Sequence, residues 1–221
     1  MTAAVTCLVV AKAPRPGLVK TRLGRRIGMA AAAELAAAAL LDTLDACMAA
    51  VGADRCSVAL DGDLSEAVRR DEIADRLRGW TVFPQRGDAL GERLAHAHAD
   101  APQQPRVQIG MDTPQVTPEL LRTVAGGLVE HDADLAPAVD GGWWALAVRR
   151  ASYAAALADV PMSTATTGDD TRAALLGRGL TVATGQVLRD VDTVEDAASV
   201  AKEAPWTRFA TAWFALPEGS L

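Results

Sequence analysis

The sequence has few of the residues that build metal clusters, disulfide frameworks or membrane spans. Its 221 residues include only three cysteines, and none of them forms a C-x-x-C pair, so neither a metal cluster nor a disulfide framework is expected. The N-terminus lacks the pattern of a secretory signal peptide, and no apolar stretch is long and lipophilic enough to span a membrane. We therefore expect a cytoplasmic protein without a membrane partner.

Positive charge is also scarce. The chain has 22 lysines and arginines against 28 aspartates and glutamates, a formal net charge of -6. This balance argues against a general binder of nucleic acid or of anionic membranes, because such proteins need basic surfaces. Any anion site must therefore be a local cluster of basic side chains.

Several familiar catalytic patterns are missing. No G-x-G-x-x-G motif follows the first predicted strand, so a dinucleotide-binding Rossmann site is disfavoured. The histidines, His96, His98 and His131, show no metal-ligand spacing with acidic neighbours, and we expect them at the surface of helices. Nothing indicates a Ser-His-Asp or Cys-His triad.

Strand-like and helix-like segments alternate along the chain. Apolar runs predict strands at residues 5–10, 56–60, 81–83, 106–110, 134–139, 143–148 and 180–183. Helices are predicted at residues 29–51, 64–77, 171–176 and 194–202, near residues 90–97, and from Thr117 onward. The alternation is typical of an α/β fold with a mostly parallel sheet in a three-layer αβα arrangement.

The end of the chain predicts an amphipathic tail. Aromatic and small residues recur there at helical spacing, at Trp206, Phe209, Ala210, Trp213 and Phe214. We predict a single domain over residues 1–204 and a tail at residues 205–221 that packs on it. The alternative is packing against a partner in a homodimer.

A basic loop follows the first predicted strand. Two prolines and a glycine in residues 11–23, AKAPRPGLVKTRL, indicate a shaped loop at the strand's carboxyl end. It carries four cations: Lys12, Arg15, Lys20 and Arg22. Ligands of open α/β sheets bind outside these strand ends, and phosphates favour helix N-termini. The loop therefore predicts phosphate binding, with an ordinary solvated loop as the alternative.

Two acidic segments predict a metal site. Asp112 stands where an apolar strand stops, and a carboxylate there can hold Mg²⁺, although aspartate before Thr-Pro is also common in turns. Asp190 and Asp192 share one side of an extended chain and could share a metal with Asp112. In the competing interpretation, Asp192 or Thr193 caps the following helix. Both interpretations can hold together.

Two further segments could reach the same strand ends. Paired glycines and tryptophans in Asp140-Gly141-Gly142-Trp143-Trp144 allow close approach to a ligand and can wall a nucleotide or sugar pocket. A plain hairpin turn is equally compatible with that segment. Gln85 and Arg93 follow a predicted strand and could enter the crevice or belong to the surface.

Taken in order, six stretches resemble a known family. They are AKAPRPGLVKTRL, QRGDALGERL, IGMDTP, DGGWW, the Ser163-Thr164 pair and DVDTVED. Together they resemble GT-A-like transferases, the radical-SAM/selenodomain-associated glycosyltransferase-like proteins. KTRL, the strand-end Asp-x-Pro and DVDTxxD are also similar to parts of 2-phospholactate guanylyltransferases, and GMDTP to a site of molybdenum-cofactor guanylyltransferases.

The resemblance implies a nucleotide-diphospho-sugar transferase fold and a residue set for each part of the site. Nucleotide and phosphate contacts would come from Ala11, Lys12, Pro14, Gly17, Lys20, Arg22, Gln85 and Arg93. The catalytic residues would be Lys20, Arg22 and Asp112, with Mg²⁺ or Mn²⁺ on Asp112, Asp190 and Asp192. The pocket for the acceptor or sugar would comprise Asp140, Gly141, Gly142, Trp143, Ser163 and Thr164.

The chain departs from the family's pattern near that acceptor pocket. Met111 replaces a small residue, Trp143-Trp144 replaces an aromatic pair containing tyrosine, and Pro161-Met162 stands where a tryptophan often precedes Ser-Thr. Because these changes fall near the expected acceptor pocket, they bear on the identity of the substrate and not on the scaffold.

Three functions are consistent with this pattern. The favoured hypothesis is nucleotidyl transfer, in which a small phosphorylated or oxyanion acceptor attacks an NTP and releases pyrophosphate, because the cationic loop suits a triphosphate. The alternative is glycosyl transfer from an NDP-sugar, although GT-A glycosyltransferases usually have Asp-x-Asp where this chain has only Asp112. A non-catalytic nucleotide-binding module is the third hypothesis.

Overall fold

The computed structural model of the protein describes residues 5–102 and 105–217. Its strands are β1 (Thr6–Lys12), β2 (Cys56–Asp61), β3 (Thr81–Pro84), β4 (Arg106–Ile109), β5 (Ala133–Pro137), β6 (Trp143–Val148) and β7 (Val182–Thr184). Its helices are α1 (Thr21–Ile27), α2 (Met29–Val51), α3 (Arg70–Arg76), α4 (Leu90–Asp100), α5 (Pro118–Gly126), α6 (Thr167–Gly177), α7 (Val194–Glu203) and α8 (Arg208–Phe214).

The strands form one seven-stranded sheet in the order β3-β2-β1-β4-β6-β5-β7. Only β6 runs antiparallel to its neighbours, β4 and β5, while the other described pairs are parallel. The predicted α/β fold with a mostly parallel sheet is confirmed. Because β6 is reversed, its first residue, Trp143, lies at the edge where β1 and β4 end.

Side chains of alternate strand residues pack on opposite faces of the sheet. Cys7 and Val9 of β1 join a core cluster with α2 and α5, whereas Leu8 joins a cluster with α4 on the other face. Helices therefore cover both faces, which gives the predicted three layers. The carboxyl ends of the parallel strands are left open between these helical layers.

Helix α2 is the long alanine-rich helix predicted from the sequence, and its bounds agree with the prediction. Alanines from Ala32 to Ala39 are almost all buried, so the helix can lie close to the sheet. Glycines with positive φ, Gly28 and Gly52, bound it at its two ends.

Several predicted elements differ in their bounds. The helix expected at residues 64–77 is a short 3₁₀ turn, Leu64–Glu66, followed by α3. The 3₁₀ segment Ala151–Asp159 and helix α1 lie in regions with no predicted element. In contrast, Thr117 caps α5 as predicted, since its side chain accepts a hydrogen bond from the backbone N–H of Leu120.

The surface prediction for His98 is wrong. His98 is fully buried, and its Nε2 lies 2.9 Å from Oε1 of Gln108 on β4. Burial, and then the positive charge of Arg106, lower the pKa of His98 to about 3, so its imidazole is neutral at physiological pH. His98 is thus part of a buried polar pair beneath the sheet surface.

Helix α8 packs beside α2 and α7. Phe209 and Trp213 are buried in a cluster with Leu35 of α2 and Val200 of α7, whereas Trp206 and Phe214 are exposed. Asp42 accepts hydrogen bonds from the backbone N–H groups of Arg208 and Phe209, at 3.0 and 2.9 Å. Among the described residues, no helix is long and apolar enough to cross a membrane.

Candidate functional site

A cleft of about 630 Å³ lies at the carboxyl ends of β1 and β4, within the size range of small-molecule sites. Most of the predicted site residues line it. These are Ala11, Lys12, Lys20, Arg22, Gln85, Arg93, Asp112, Asp140, Gly142, Trp143, Ser163, Thr164, Asp190 and Asp192. Segments far apart in the sequence are therefore assembled around one opening.

The basic loop brings Lys20 inward at the start of α1. Gly17 has φ 79°, and Lys20 itself adopts a left-handed conformation with φ 47° and ψ 40°. A residue with a Cβ rarely adopts this conformation, and such strain is concentrated at functional sites. The Lys20 side chain is only 7% exposed, so the backbone turn directs a cation into the protein instead of into solvent.

The Lys20 ammonium group lies among acidic and carbonyl oxygens. Its Nζ is 2.6 Å from Oδ1 of Asp112 and 3.4 Å from Oδ1 of Asp192, and it also donates to the carbonyl oxygen of Val191. Burial opposes the charge on Lys20, but the charges of Asp112 and Asp192 outweigh it and raise the pKa of the lysine above its ordinary value. Lys20 is therefore a fixed cation.

Hydrogen bonds to backbone carbonyl oxygens hold the two acidic segments together. The N–H of Val191 donates to the carbonyl oxygen of Asp112 at 2.9 Å, and Nε2 of Gln115 donates to the carbonyl oxygen of Arg189 at 2.7 Å. Thr193 then caps α7 in a reciprocal pair with Asp196, so the threonine rather than Asp192 is the cap. This arrangement leaves Asp190 and Asp192 on the cleft wall.

Asp190 carries the most perturbed carboxyl group of the cleft. Burial, and then the negative charge of Asp112, raise the pKa of Asp190 to about 7. Carboxylate oxygens are the hard ligands that Mg²⁺ and Mn²⁺ prefer, and a cation would relieve this concentration of negative charge. The donor chemistry of Asp112, Asp190 and Asp192 therefore fits a divalent cation.

The geometry of this acidic cluster is nevertheless that of an ion pair. Across residues 5–102 and 105–217, no three His, Cys, Asp or Glu side chains are grouped closely enough to hold a metal. The Lys20 ammonium lies between Asp112 and Asp192 and neutralises part of their charge. A bound cation would thus share these carboxylates with Lys20.

A second group of cations lines the cleft on its β2 side. Asp61, the last residue of β2, lies 3.2 Å from Nη1 of Arg93 and 4.0 Å from Nζ of Lys12. Arg22 is different, since its side chain is 75% exposed and its Nη1 lies 3.8 Å from Asp192. Lys12 and Arg93 are positioned by one shared carboxylate, whereas Arg22 stands at the solvent edge.

The side-chain amide of Gln85 is fixed by the sheet. Its Nε2 donates to the carbonyl oxygens of Ala11 and Ala59, at 2.9 and 3.0 Å. Both amide hydrogens are thereby used, so Gln85 presents its carbonyl oxygen to the cleft as an acceptor.

The opposite wall is built around Trp143 and the start of α6. Nε1 of Trp143 donates to Oγ1 of Thr171, which fixes the plane of the indole. Asp140 accepts a hydrogen bond from the N–H of Gly142 at 2.9 Å, and Thr164 is held by hydroxyl contacts with Thr166 and Thr167. The wall is therefore preorganised, mostly by uncharged groups.

Three predicted site residues do not reach the cleft wall. The carbonyl oxygen of Pro14 accepts from the N–H of Val68, and Gly17 shapes the loop from its outer side. At Gly141, which has φ 89°, a Cβ would lie 2.0 Å from the carbonyl oxygen of Ala165. The absence of a side chain at Gly141 allows the close approach of the neighbouring loop at Ala165.

Three further residues at the cleft are absent from the sequence-based set. Asp61 binds two lining cations, and Gln108 and Thr167 line the cleft themselves. A strand-end carboxylate is a signal that Asp61 shares with Asp112. Gln108 offers the signal of a polar residue between two apolar ones, Val107 and Ile109.

Sequence comparison identifies a family for this chain. The family described as "Uncharacterized protein conserved in bacteria (DUF2064)" matches residues 43–164, more than half of the chain. The chain belongs to this family. The matched part of this DUF2064 protein contains Gln85, Asp112 and Trp143, and it lies between the basic loop and the Asp190 segment. No curated protein matches the sequence significantly.

Solved structures share the architecture of this DUF2064 protein. A protein of Desulfovibrio desulfuricans G20, provisionally described as a nucleotide-diphospho-sugar transferase, is 26% identical with a TM-score of 0.76, covering 90% of this chain and 87% of that chain. Rv0371c of Mycobacterium tuberculosis H37Rv, in complex with manganese, is 21% identical with a TM-score of 0.50, covering 89% and 98%.

A synthetase in complex with a nucleotide is also among the structural neighbours. CMP:2-keto-3-deoxy-manno-octonic acid synthetase, complexed with CTP, is 13% identical with a TM-score of 0.55, covering 91% of this chain and 97% of that chain. The predicted nucleotide-diphospho-sugar transferase fold is thereby confirmed. The neighbours whose names describe an activity are named as transferases, synthetases or synthases.

Proposed function

We propose that this protein is a divalent-metal-dependent nucleotidyltransferase that couples an NTP to a small phosphorylated or oxyanion acceptor and releases pyrophosphate. The observation that carries the proposal is the position of Lys20, whose side chain is only 7% exposed and is held against Asp112 at the carboxyl edge of the sheet. The fold it shares with a CTP-binding synthetase supports the same chemistry.

Lys20 and Arg22 would stabilise the charge that develops on the phosphates. Lys20 has three N–H donors, which are directed at Asp112, Asp192 and the Val191 carbonyl oxygen. A phosphate oxygen would replace the most distant of these acceptors, Asp192. Lys12 and Arg93, held by Asp61, would bind the nucleotide on the other side of β1.

Asp112, with Asp190 and Asp192, would hold Mg²⁺ or Mn²⁺. When bound there, the cation would neutralise charge on the phosphates and help to align them. The manganese complex of Rv0371c supports a divalent cation in this fold. Asp190 would contribute only as its carboxylate, so its raised pKa links cation binding to pH.

The reaction would be an in-line displacement at the α-phosphorus. An acceptor oxygen forms the new P–O bond, the bond to the bridging oxygen of the β-phosphate breaks, and pyrophosphate leaves with the electron pair. This chemistry depends on positioning and charge stabilisation more than on a dedicated base. Trp143, Asp140, Ser163 and Thr164 would shape the space for the acceptor.

Glycosyl transfer from an NDP-sugar is the second candidate. The Desulfovibrio relative, at 26% identity, supports it through its description as a nucleotide-diphospho-sugar transferase. The resemblance to radical-SAM/selenodomain-associated glycosyltransferase-like proteins points the same way. In this reaction the same cations would stabilise a departing diphosphate.

A thermal-shift panel separates these functions. ATP, CTP, GTP and UTP, and a matching set of NDP-sugars, are each tested with and without Mg²⁺. A ligand at 100 times its Kd should add about 2.7 kcal/mol, a shift of roughly 5–10 °C for a chain of this size. Stabilisation by an NTP that requires Mg²⁺ supports nucleotidyl transfer. Stabilisation by NDP-sugars but not NTPs contradicts it in favour of glycosyl transfer.

A further inference from the structure

One buried amide in the cleft has no role in the chemistry described above. Gln108 lies on β4 upstream of Asp112, is only 2% exposed, and yet lines the cleft. The Oε1 atom of Gln108 is hydrogen-bonded to Nε2 of His98 at 2.9 Å. Among the described residues, the Gln108 side chain forms this one hydrogen bond through Oε1, and its Nε2 is left for the cleft that the residue lines.

The state of His98 determines which end of the amide faces the cleft. Nδ1 of His98 is buried without a partner among the described residues. If that nitrogen carried the proton, an N–H would be left unpaired in the core, which proteins avoid more strictly than an unpaired acceptor. The proton therefore lies on Nε2 and is donated to Oε1 of Gln108, and the NH₂ group of Gln108 remains for the cleft.

Apolar side chains line much of the cleft that this amide enters. Val10, Leu90, Leu94, Trp143 and Met162 line the cleft and belong to, or pack against, one hydrophobic cluster. Gln108 is thus a hydrogen-bond donor at the floor of a cleft that this apolar cluster also lines, whereas Lys20 and Asp112 form an ion pair in the same cleft. A donor in such surroundings discriminates strongly between ligands that do and do not accept its hydrogen bond.

The amide and this ion pair are close enough for one ligand. Gln108 and Asp112 belong to the same strand and the turn that follows it, so at about 3.3 Å per residue they lie at most about 13 Å apart. A ring attached to a phosphate near Lys20 can reach this floor. The indole of Trp143, fixed by Thr171, would form an apolar side for such a ring.

We propose that Gln108 binds a hydroxyl oxygen of a neutral, polyol-like group joined to the nucleotide, and that His98 is the positioning residue that orients the Gln108 amide. This inference rests on the proposed function. It applies to either reaction, because an NDP-linked sugar is a product of nucleotidyl transfer to a sugar phosphate and the donor for glycosyl transfer.

The test compares nucleotides with and without an attached sugar. UDP-glucose, GDP-mannose and ADP-glucose are each titrated calorimetrically beside UDP, GDP and ADP, with Mg²⁺ present. The wild-type protein should bind at least one NDP-sugar more tightly than its parent diphosphate. Gln108→Met should weaken that NDP-sugar about 5- to 10-fold, the loss of roughly one hydrogen bond, and leave the diphosphate within about 2-fold.

Matched variants separate ligand binding from stability. Gln186→Met makes the same substitution at an exposed position and should change neither affinity. His98→Leu combined with Gln108→Met removes both members of the buried pair, so no polar partner is stranded, and should weaken the NDP-sugar like Gln108→Met. His98→Leu alone should weaken it by an intermediate factor with unchanged diphosphate affinity, because the amide remains but is no longer oriented.

Other results would overturn the inference. Equal weakening of the diphosphate and the NDP-sugar, or no weakening of either, would remove Gln108 from the sugar site. If the wild-type protein binds diphosphates and an attached sugar does not increase the affinity, Gln108 is again not part of a sugar site. The proposed nucleotide site would stand in that case. A wild-type protein that binds no nucleotide at all would overturn the proposed function as well.

Discussion

Lys20 and Asp112 form an ion pair of unequal exposure: Nζ lies 2.6 Å from Oδ1, and the lysine side chain is 7% exposed whereas the aspartate side chain is 44% exposed. The lysine is therefore the anchored member and the aspartate is the one open to a ligand. This asymmetry is suited to a site in which the cation stays in place while the carboxylate acquires a second partner.

Replacing Lys20 should change metal and nucleotide binding in opposite directions. Lys20→Met removes the positive charge between Asp112 and Asp192, so Mn²⁺ alone should bind more tightly, as measured by electron paramagnetic resonance of free Mn²⁺. NTP affinity should fall, and turnover should fall by roughly 10²- to 10³-fold, since one preorganised electrostatic donor is lost.

The matched control for this variant is Lys202→Met on the exposed side of α7. This variant removes the same charge at an exposed residue that does not line the cleft, so the Mn²⁺ and NTP affinities should be unchanged. A Lys20→Met protein with full turnover would exclude a role for Lys20 in phosphate chemistry.

Metal binding should strengthen between pH 6 and pH 8. Burial and the charge of Asp112 raise the pKa of Asp190 to about 7, so a cation that needs the carboxylate must displace a proton below that pH. Mn²⁺ affinity should be about 10-fold higher at pH 8 than at pH 6, from the change in the ionised fraction. Asp190→Asn should bind Mn²⁺ more weakly and with a flat pH profile. Equal wild-type affinity at both pH values would exclude Asp190 as a ligand.

The buried His98 should make the protein sensitive to acid. Its pKa is lowered to about 3 by burial and by Arg106, below the ordinary value of about 6.5 for an unfolded chain. Between these two pKa values the unfolded state binds a proton at His98 and the folded state does not. The free energy of unfolding is therefore highest above pH 6.5 and decreases as the pH falls toward 3. Between pH 7 and pH 5 the loss should be about 2 kcal/mol.

Urea unfolding at the two pH values measures this loss. The double variant His98→Leu/Gln108→Met lacks the titrating group and should lose about 2 kcal/mol less than the wild type over that interval. Parallel pH profiles for the two proteins would show that His98 is not the sensitive group.

The anchoring of α8 gives a prediction for the domain organisation. We propose that the tail packs on the preceding domain through residues 205–217, while residues 218–221 of the predicted tail lie outside the described residues. The Asp42 carboxylate, 8% exposed, accepts from two backbone N–H groups at the start of α8 and pairs with Arg208. Asp42→Ala should lower the free energy of unfolding by about 2 kcal/mol, because it leaves these buried donors unpaired. Asp159→Ala at an exposed position should change it by less than about 0.5 kcal/mol. Equal effects of the two variants would contradict this role of Asp42.

The sequence predicts those features that depend on local chemistry. The order of strands and helices follows from hydrophobic periodicity, and the caps at Thr117 and Thr193 follow from residue preferences at helix N-termini. The placement of Asp112 at a strand end follows in the same way. Parallel strand ends meet at one edge of a sheet, so the sequence also brings most of the predicted residues to one cleft.

Features that depend on distant contacts could not be predicted. The pairing of Lys20 with Asp112 requires the left-handed turn at Lys20 and the register between β1 and β4. Burial of His98 depends on how α4 lies on the sheet, although its spacing from Leu94 already places it on the helix's buried face. Gln108 becomes a site residue only because His98 binds one end of its amide.

Phosphorus-31 nuclear magnetic resonance tests the central proposal most directly. The protein is incubated with Mg²⁺, each of the four NTPs, and a panel of sugar 1-phosphates, and both phosphorus-containing products are followed. We predict equal amounts of pyrophosphate and an NDP-linked product from one NTP, and a rate roughly 10²- to 10³-fold lower with Lys20→Met. A parallel incubation contains an NDP-sugar and an added acceptor. Transfer of the sugar to that acceptor with release of NDP, without pyrophosphate from any NTP in the first incubation, would contradict nucleotidyl transfer and establish glycosyl transfer instead.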